Sequence, residues 1–279
     1  MQGTVIKVIS ENFYVECQGE IIICSERGKL KLTKNLPLVG DLVIINKEKK
    51  VIEEILPRKN QLIRPNVANI DQAFIITSLK NPDFSTNLLD KLIVQLEINH
   101  IMPIICVTKK DLIDETLFLK YQEILNYYEK IGYHVVYNYE LLKIKELLKG
   151  KITVFTGQTG AGKSTLLNKL FPHLNLKTGE ISISLGRGRH TTRHTEIINT
   201  LDIKVLDTPG FSALSFLNYN LESVKKGFVE FQNFPCLYKD CNHIKEGECM
   251  VKRAVNEGKI MKSRYENYLN FANEFDKRK

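Results

Sequence analysis

No stretch of the 279-residue chain approaches the roughly 20 consecutive apolar residues needed to cross a bilayer, so a membrane span is not expected. The opening MQGTVIKVISENFYVE lacks a basic block followed by an apolar one, which argues against a secretory leader and leaves the cytoplasm as the expected location. Internal repeats and long low-complexity segments are missing too. Cysteine is sparse: six residues in a cytosolic chain do not make a disulfide framework. Three of the six fall in the last fifth of the sequence, a placement that points to metal instead. What remains is ordinary globular material, 43% hydrophobic and 26% charged, in two or three domains. Lys and Arg exceed Asp and Glu by 40 to 32, a net charge of +8 that suits a polyanionic partner such as RNA and says nothing of the fold.

Up to Ile63 the chain reads as short β-prone runs: TVIKVI, FYVEC, EIIIC, KLKL, DLVIINK and VIEEIL. Turn residues at Glu11-Asn12, Gly19, Gly28 and Gly40-Asp41 separate them. Five or six short strands at this spacing predict a small closed barrel of the OB type. From about Asn66 the texture becomes alternating strand and helix. Ala73–Ser78 and Pro103–Val107 read as buried parallel strands, and Leu88, Leu89, Leu92, Ile93 and Leu96 recur between them at helical spacing. Leu117, Tyr121, Ile124, Leu125 and Tyr128 repeat the helical pattern, with further strands at His134–Tyr137, Ile152–Thr156 and Ile203–Leu206. This is the alternation of a doubly wound sheet. Beyond Leu221 the chain turns helical around a Cys/His knot, and Met261, Tyr265, Tyr268, Ala272 and Phe275 form an apolar stripe best read as packing.

Gly157-Gln158-Thr159-Gly160-Ala161-Gly162-Lys163-Ser164 matches the phosphate-loop pattern in full, after a predicted strand and before a helix that opens with Ser164 and Thr165. Glycines let successive backbone N–H groups curl around phosphates, and a helix N-terminus adds a positive dipole end. In that pattern Lys163 reaches the β- and γ-phosphates and the Ser164 hydroxyl coordinates Mg²⁺. Leu206-Asp207-Thr208-Pro209-Gly210 ends the following strand: Asp207 fits the second Mg²⁺ support, and the Gly210 N–H can sense a γ-phosphate. Between the two lies Gly186-Arg187-Gly188-Arg189-His190-Thr191-Thr192-Arg193-His194. Either Thr191 or Thr192 is expected to complete the Mg²⁺ shell, as a switch threonine does. A plain RNA-contacting basic loop is the competing reading of that segment.

Thr108-Lys109-Lys110-Asp111 follows one strand and precedes a helix, matching the guanine motif N-K-x-D with Thr for Asn. In that motif Asp111 would accept from the guanine N1–H and exocyclic amine and the Lys109 stem would lie over the base, while the Thr loses an amide that braces the site. This motif comes before the phosphate loop, the reverse of the usual order. In that order the chain resembles the circularly permuted GTPase family RsgA, also called YjeQ. The resemblance spans the barrel, the permuted G domain and the Cys/His module, and rests also on the G-R-G-R-H-T-T and DTPGFS segments. It implies slow GTP hydrolysis stimulated by the small (30S) ribosomal subunit, late maturation of that subunit, binding of its rRNA, and a monomer free of membranes. The readings set against this are a nucleotide-gated RNA switch with negligible turnover and a permuted GTPase of the large subunit. Two departures stand out. A Ser-Ala base-contacting pair is expected near Val135–Glu140, where Tyr137-Asn138-Tyr139 is found. Phe211 occupies the place of a water-orienting Gln, which leaves His190 or His194 as the candidate catalytic group.

Cys236, Cys241, His243 and Cys249 supply three thiolates and an imidazole within fourteen positions, the ligand set of a closed structural zinc site with one Zn²⁺ per chain. Cys17, Cys24 and Cys106 read as inert core residues. The expected architecture is therefore an OB-like barrel over 1–63, a permuted P-loop α/β domain over 64–220 and a helical zinc-binding module over 221–279.

Overall fold

The computed structural model describes residues 1–26, 36–63, 66–172, 196–200, 203–207, 216 and 219–276. Five strands make the N-terminal barrel: β1 (Gln2–Ile9), β2 (Asn12–Cys17), β3 (Glu20–Glu26), β4 (Leu42–Asn46) and β5 (Val51–Ile55). Along β2 and β4 every second residue is buried, the period that puts one face of each strand inside. Val5, Phe13, Val15, Cys17, Cys24, Val43, Ile45 and Ile52 fill the interior. Strand order β1-β2-β3-β5-β4 closes because the first residues of β1 also pair with β4. The register shifts between Val5 and Lys7, and beyond that shift β1 turns to another neighbour. The KLKL run lies outside the described residues.

A short hairpin, β6 (Gln61–Ile63) and β7 (Asn66–Ala68), leads into the second layer system. Its strands are β8 (Gln72–Ser78), β9 (Met102–Thr108), β10 (His134–Tyr137), β11 (Ile152–Gly157), β12 (Glu196–Thr200) and β13 (Ile203–Asp207). The order is β10-β9-β8-β11-β13-β12, parallel except at β12. Helices α1 (Thr86–Ile98), α2 (Glu115–Lys130), α3 (Leu141–Leu148) and α4 (Lys163–Leu170) connect the strands. Ser85 and Asp114 cap α1 and α2 by accepting from the N–H groups of Leu88 and Leu117. Apolar clusters cover the sheet on both faces, which is why β8 and β9 read as nearly unbroken apolar runs. Through β12, which meets β1, this sheet continues into the barrel.

The C-terminal part adds α5 (Leu221–Lys226), a 3₁₀ turn at Val229–Asn233, α6 (Met250–Asn256) and α7 (Lys262–Asp276). Tyr268 and Ala272 of the late stripe are buried, so that stripe is packing. It docks on α1 through a buried ionic cluster. Arg264 donates to Asp90 Oδ1 at 2.7 Å and to both carboxylate oxygens of Glu230 at 2.8 Å. Tyr128 and Asn267 donate to Asp90 as well, at 2.5 and 2.7 Å. Burial opposes the guanidinium's charge, but the two carboxylates outweigh it and hold Arg264 protonated.

Candidate functional site

The sequence motifs meet at the carboxyl ends of β8, β9, β11 and β13, the edge where open α/β sheets bind ligands. Gly157 ends β11 at φ +135°, and a Cβ there would sit 2.2 Å from the Ile76 carbonyl oxygen. Only glycine fits. Gly160 and Gly162 also have positive φ, and the chain then enters α4, whose first N–H groups lack intrahelical partners and face the loop. Ser164 and Thr165 lie in that first turn. Lys163 Nζ donates to the carbonyls of Gly157 at 2.9 Å and Gln158 at 3.2 Å, folded over the same loop that holds Thr159 and Ala161. Burial pushes its pKa down, so a bound phosphate would relieve a partly desolvated ammonium.

Thr108 ends β9 and is buried. Its hydroxyl donates to the Ala161 carbonyl at 2.6 Å. The T-K-x-D turn is thus tied directly to the loop from Gly157 to Ser164, and Thr108 supplies a brace where the amide of asparagine is missing. Lys109 adopts a left-handed conformation at φ 58°, and its ammonium donates to the carbonyl of Asn81. Asn81 precedes Pro82 across a cis peptide in the loop after β8. Asp111 sits exposed in the 3₁₀ turn Lys110–Leu112. Beside it, the loop after β10 is pinned by Asn138 N–H to the Val107 carbonyl at 2.9 Å and by Tyr137 N–H to the Glu140 carboxylate at 2.6 Å. The Tyr137 and Tyr139 rings stack with centroids 5.4 Å apart and 16° between planes, so an aromatic wall stands where a Ser-Ala pair was expected.

The backbone of Asp207 closes β13 on this same edge. His190, Thr191, Thr192, His194, Gly210 and Phe211 lie outside the described residues. A cavity of about 320 Å³ opens at the opposite edge, between Glu97, His100, Tyr133 and Val229, and none of the motif residues lines it.

The brace gives a direct test. Thr108→Val keeps the shape and removes the donor, leaving the buried Ala161 carbonyl unpaired at a cost of about 1–3 kcal/mol. Fluorescent-nucleotide titration is expected to show roughly tenfold weaker GTP and GDP binding, with Thr108→Ser close to wild type. Equal affinity in the Val variant would remove the brace from the account.

Away from this edge, Cys236, Cys241, His243 and Cys249 bring their ligand atoms within 4.8 Å of one another, the one such group among the described residues. His243 Nδ1 lies 3.5, 3.4 and 3.3 Å from the sulfurs of Cys236, Cys241 and Cys249, and the Cys236 and Cys249 sulfurs are 3.7 Å apart. All six cysteines are free thiols, and burial pushes Cys106 up to about 12, as an inert core position requires. Burial also pushes His243 down, toward the neutral form a metal ligand needs. The cluster is held by residues the motif does not include. Tyr265 and Tyr268 of α7 donate to the carbonyls of His243 and Asn242, Lys225 donates to that of Cys241, and the Phe231 ring meets His243 edge-on. The late aromatic stripe was their signal.

Comparison with known proteins adds lineage to geometry. The RsgA N-terminal domain profile matches residues 2–51, and the RsgA GTPase profile matches residues 55–217. A protein of Enterococcus faecalis named small ribosomal subunit biogenesis GTPase RsgA is 45% identical over 100% of this chain and 97% of its own length. One of the same name from Streptococcus pneumoniae is 44% identical over 100% and 96%. The crystal structure of YjeQ from Thermotoga maritima superposes with a TM-score of 0.86 at 36% identity, covering 98% of this chain and 97% of that one. That of YloQ, described as a circularly permuted GTPase, gives 0.85 at 37%, covering 100% and 96%. With its nucleotide motifs in permuted order and its barrel, sheet and Cys/His cluster in place, the chain belongs to the RsgA GTPase family.

Proposed function

We propose that this GTPase works on the small ribosomal subunit, binding its rRNA and hydrolysing GTP slowly until the subunit stimulates it. The observation that carries the nucleotide half is the bond from Thr108 to Ala161, which joins base recognition to phosphate binding in one rigid unit. In this reading Asp111 reads guanine and the loop from Gly157 to Thr165 holds the phosphates. Ser164 and Asp207 support Mg²⁺ together with Thr191 or Thr192, Gly210 senses the γ-phosphate, and His190 or His194 orients water. The partner half rests on relatives named for small-subunit biogenesis. Three units, 1–63, 64–220 and 221–279, divide the work in a monomer that acts in the cytoplasm. No helix among the described residues is long and apolar enough to cross a membrane.

The Cys/His cluster fits Zn²⁺. A tetrahedron with bonds of about 2.3 Å to sulfur and about 2.1 Å to nitrogen has edges of about 3.8 Å between sulfurs and about 3.6 Å from sulfur to nitrogen. The Cys236–Cys249 S···S separation of 3.7 Å and the N···S separations of 3.3–3.5 Å are close to those edges, and all four ligand atoms lie within 4.8 Å of one another. With no open position, such a metal is structural.

The test is GTP turnover alone, with small subunits and with large ones. Stimulation by small subunits only is expected, falling steeply as salt rises because phosphate contacts release counterions. Stimulation by large subunits alone refutes the partner, and negligible turnover under all conditions favours a nucleotide-gated switch. GTP should be bound over ATP, and Asp111→Asn should shift preference toward xanthine nucleotides. Equal ATP and GTP affinity in the wild type would sink the guanine assignment.

A further inference from the structure

Among the described residues, the barrel meets the nucleotide-binding domain through two contacts of different character. On one side the contact is buried and dense. Gly40, at φ +93°, approaches Ala68 so closely that a Cβ would lie 1.9 Å from the Ala68 carbonyl oxygen. Ala68 N–H donates to the Val39 carbonyl at 2.9 Å, and the Asn69 amide donates to that of Gly40 at 3.0 Å. Arg58 grips the buried Asp41 carboxylate with two bonds of 2.7 Å, and Asn60 exchanges bonds with the backbone of Ile70 at 2.7 and 2.8 Å. Ala68, Asn69 and Ile70 lead into the first residues of β8, at the end of the parallel sheet opposite its nucleotide edge.

On the other side the contact is light. β1 meets β12 at one register pair among the described residues, Lys7 opposite Glu196. Ile6 and Val8 of β1 pack against the apolar cluster that includes Ile197, and Glu16 of β2 adds a polar bridge: its carboxylate accepts from the Asn199 amide of β12 at 2.9 Å and pairs with Lys204 of β13 at 3.6 Å. β12 follows the segment with His190–His194, and β13 ends at Asp207. A partly buried carboxylate therefore bridges the barrel to β12, which follows the switch segment in the chain, and to β13, which ends at Asp207.

We infer that the barrel is mounted as a pivot and a latch, with Glu16 the latch that links barrel position to nucleotide state. Charge and reach favour this role over a merely structural one. A lone ion pair at partial exposure stabilises a fold little. It is, however, enough to bias two arrangements of a hairpin. The inference rests on the nucleotide reading above, since nucleotide must act on β12 and β13 for the latch to have anything to transmit. Glu16 is a positioning residue with no part in binding GTP.

Hydrogen exchange on the full chain, with GDP and then with a non-hydrolysable GTP analogue, tests it. In the wild type, exchange should change with nucleotide in β12–β13 and also in β1–β2, by about threefold, the scale of a partly exposed ion pair. Segments 38–41 and 66–70 should not change. In Glu16→Ala the β12–β13 response should persist while that of β1–β2 disappears, and the swap Glu16→Lys with Lys204→Glu should restore it. A barrel indifferent to nucleotide in the wild type, or equally responsive in Glu16→Ala, overturns the latch. If β12–β13 themselves ignore nucleotide, the reading on which the latch depends falls with it.

Discussion

Preventing metal binding at the Cys236, Cys241, His243 and Cys249 site, by chelation or by Cys241→Ser, is expected to unfold the C-terminal segment while leaving GTP binding largely intact. Metal binding supplies roughly 10–16 kcal/mol of apparent folding energy in small zinc modules, as much as the total stability of many domains. Here that energy would be delivered at the centre of a local core. His243 packs among Phe231 and Tyr268, and Cys241 and Cys249 are themselves buried in the same cluster as Phe228 and Phe271. Without an ion, only the surrounding hydrogen bonds and ring packing hold three sulfurs and an imidazole face to face. Elemental analysis should find one zinc per chain, and limited proteolysis of the stripped protein should cut beyond Leu221. The Thr108–Ala161 unit lies outside this cluster, so nucleotide titration should be little changed. Zinc-free protein with a protease-resistant C-terminal segment would refute the structural role.

Replacing Arg264 should be nearly as damaging. Arg264→Met leaves Asp90 and Glu230 buried beside each other without a counter-charge, a loss of about 3–5 kcal/mol when one partner of a buried network is removed. Because Asp90 lies on α1 and Glu230 on the 3₁₀ turn, the change strikes the joint between the nucleotide domain and the C-terminal helices. A melting temperature lower by on the order of 10 °C is expected. Removing all three charges together, Asp90→Leu with Glu230→Leu and Arg264→Met, should recover much of the loss, since the desolvation cost goes with them. A single variant as stable as wild type would show that water reaches the cluster.

Much of this was legible in the residues, for physical reasons. Strands buried on both faces, such as β8 and β9, need an unbroken apolar run that a surface segment would not tolerate, and the phosphate loop's glycines are dictated by backbone conformation at Gly157, Gly160 and Gly162. The Cys/His spacing needed only proximity along the chain. What escaped were contacts between residues distant in sequence. The bond from Thr108 to Ala161 joins two motifs that each read as complete, so a threonine in the asparagine position registered only as a lost amide. The short strands of the β6–β7 hairpin are three residues each, too brief to set a period. Arg264 sits among polar neighbours on an amphipathic helix, although Asp90, wedged between Leu89 and Leu92 on the apolar face of α1, was a visible sign that a buried cation would be needed.

The shared strand β1 also has a bearing on how the chain is made. Its first residues find their partner in β4 within the opening fifth of the sequence, so the barrel can close early during synthesis. Lys7 must wait for Glu196, which leaves the ribosome far later. Until then the far end of β1 is an open strand edge on a finished barrel, the kind of surface that invites pairing with another nascent chain. The register irregularity between Val5 and Lys7 breaks the regular ladder at that end, and such irregularities are one way natural strands blunt an open edge. The same irregularity that lets one strand serve two sheets thus falls where the barrel's edge stays open longest.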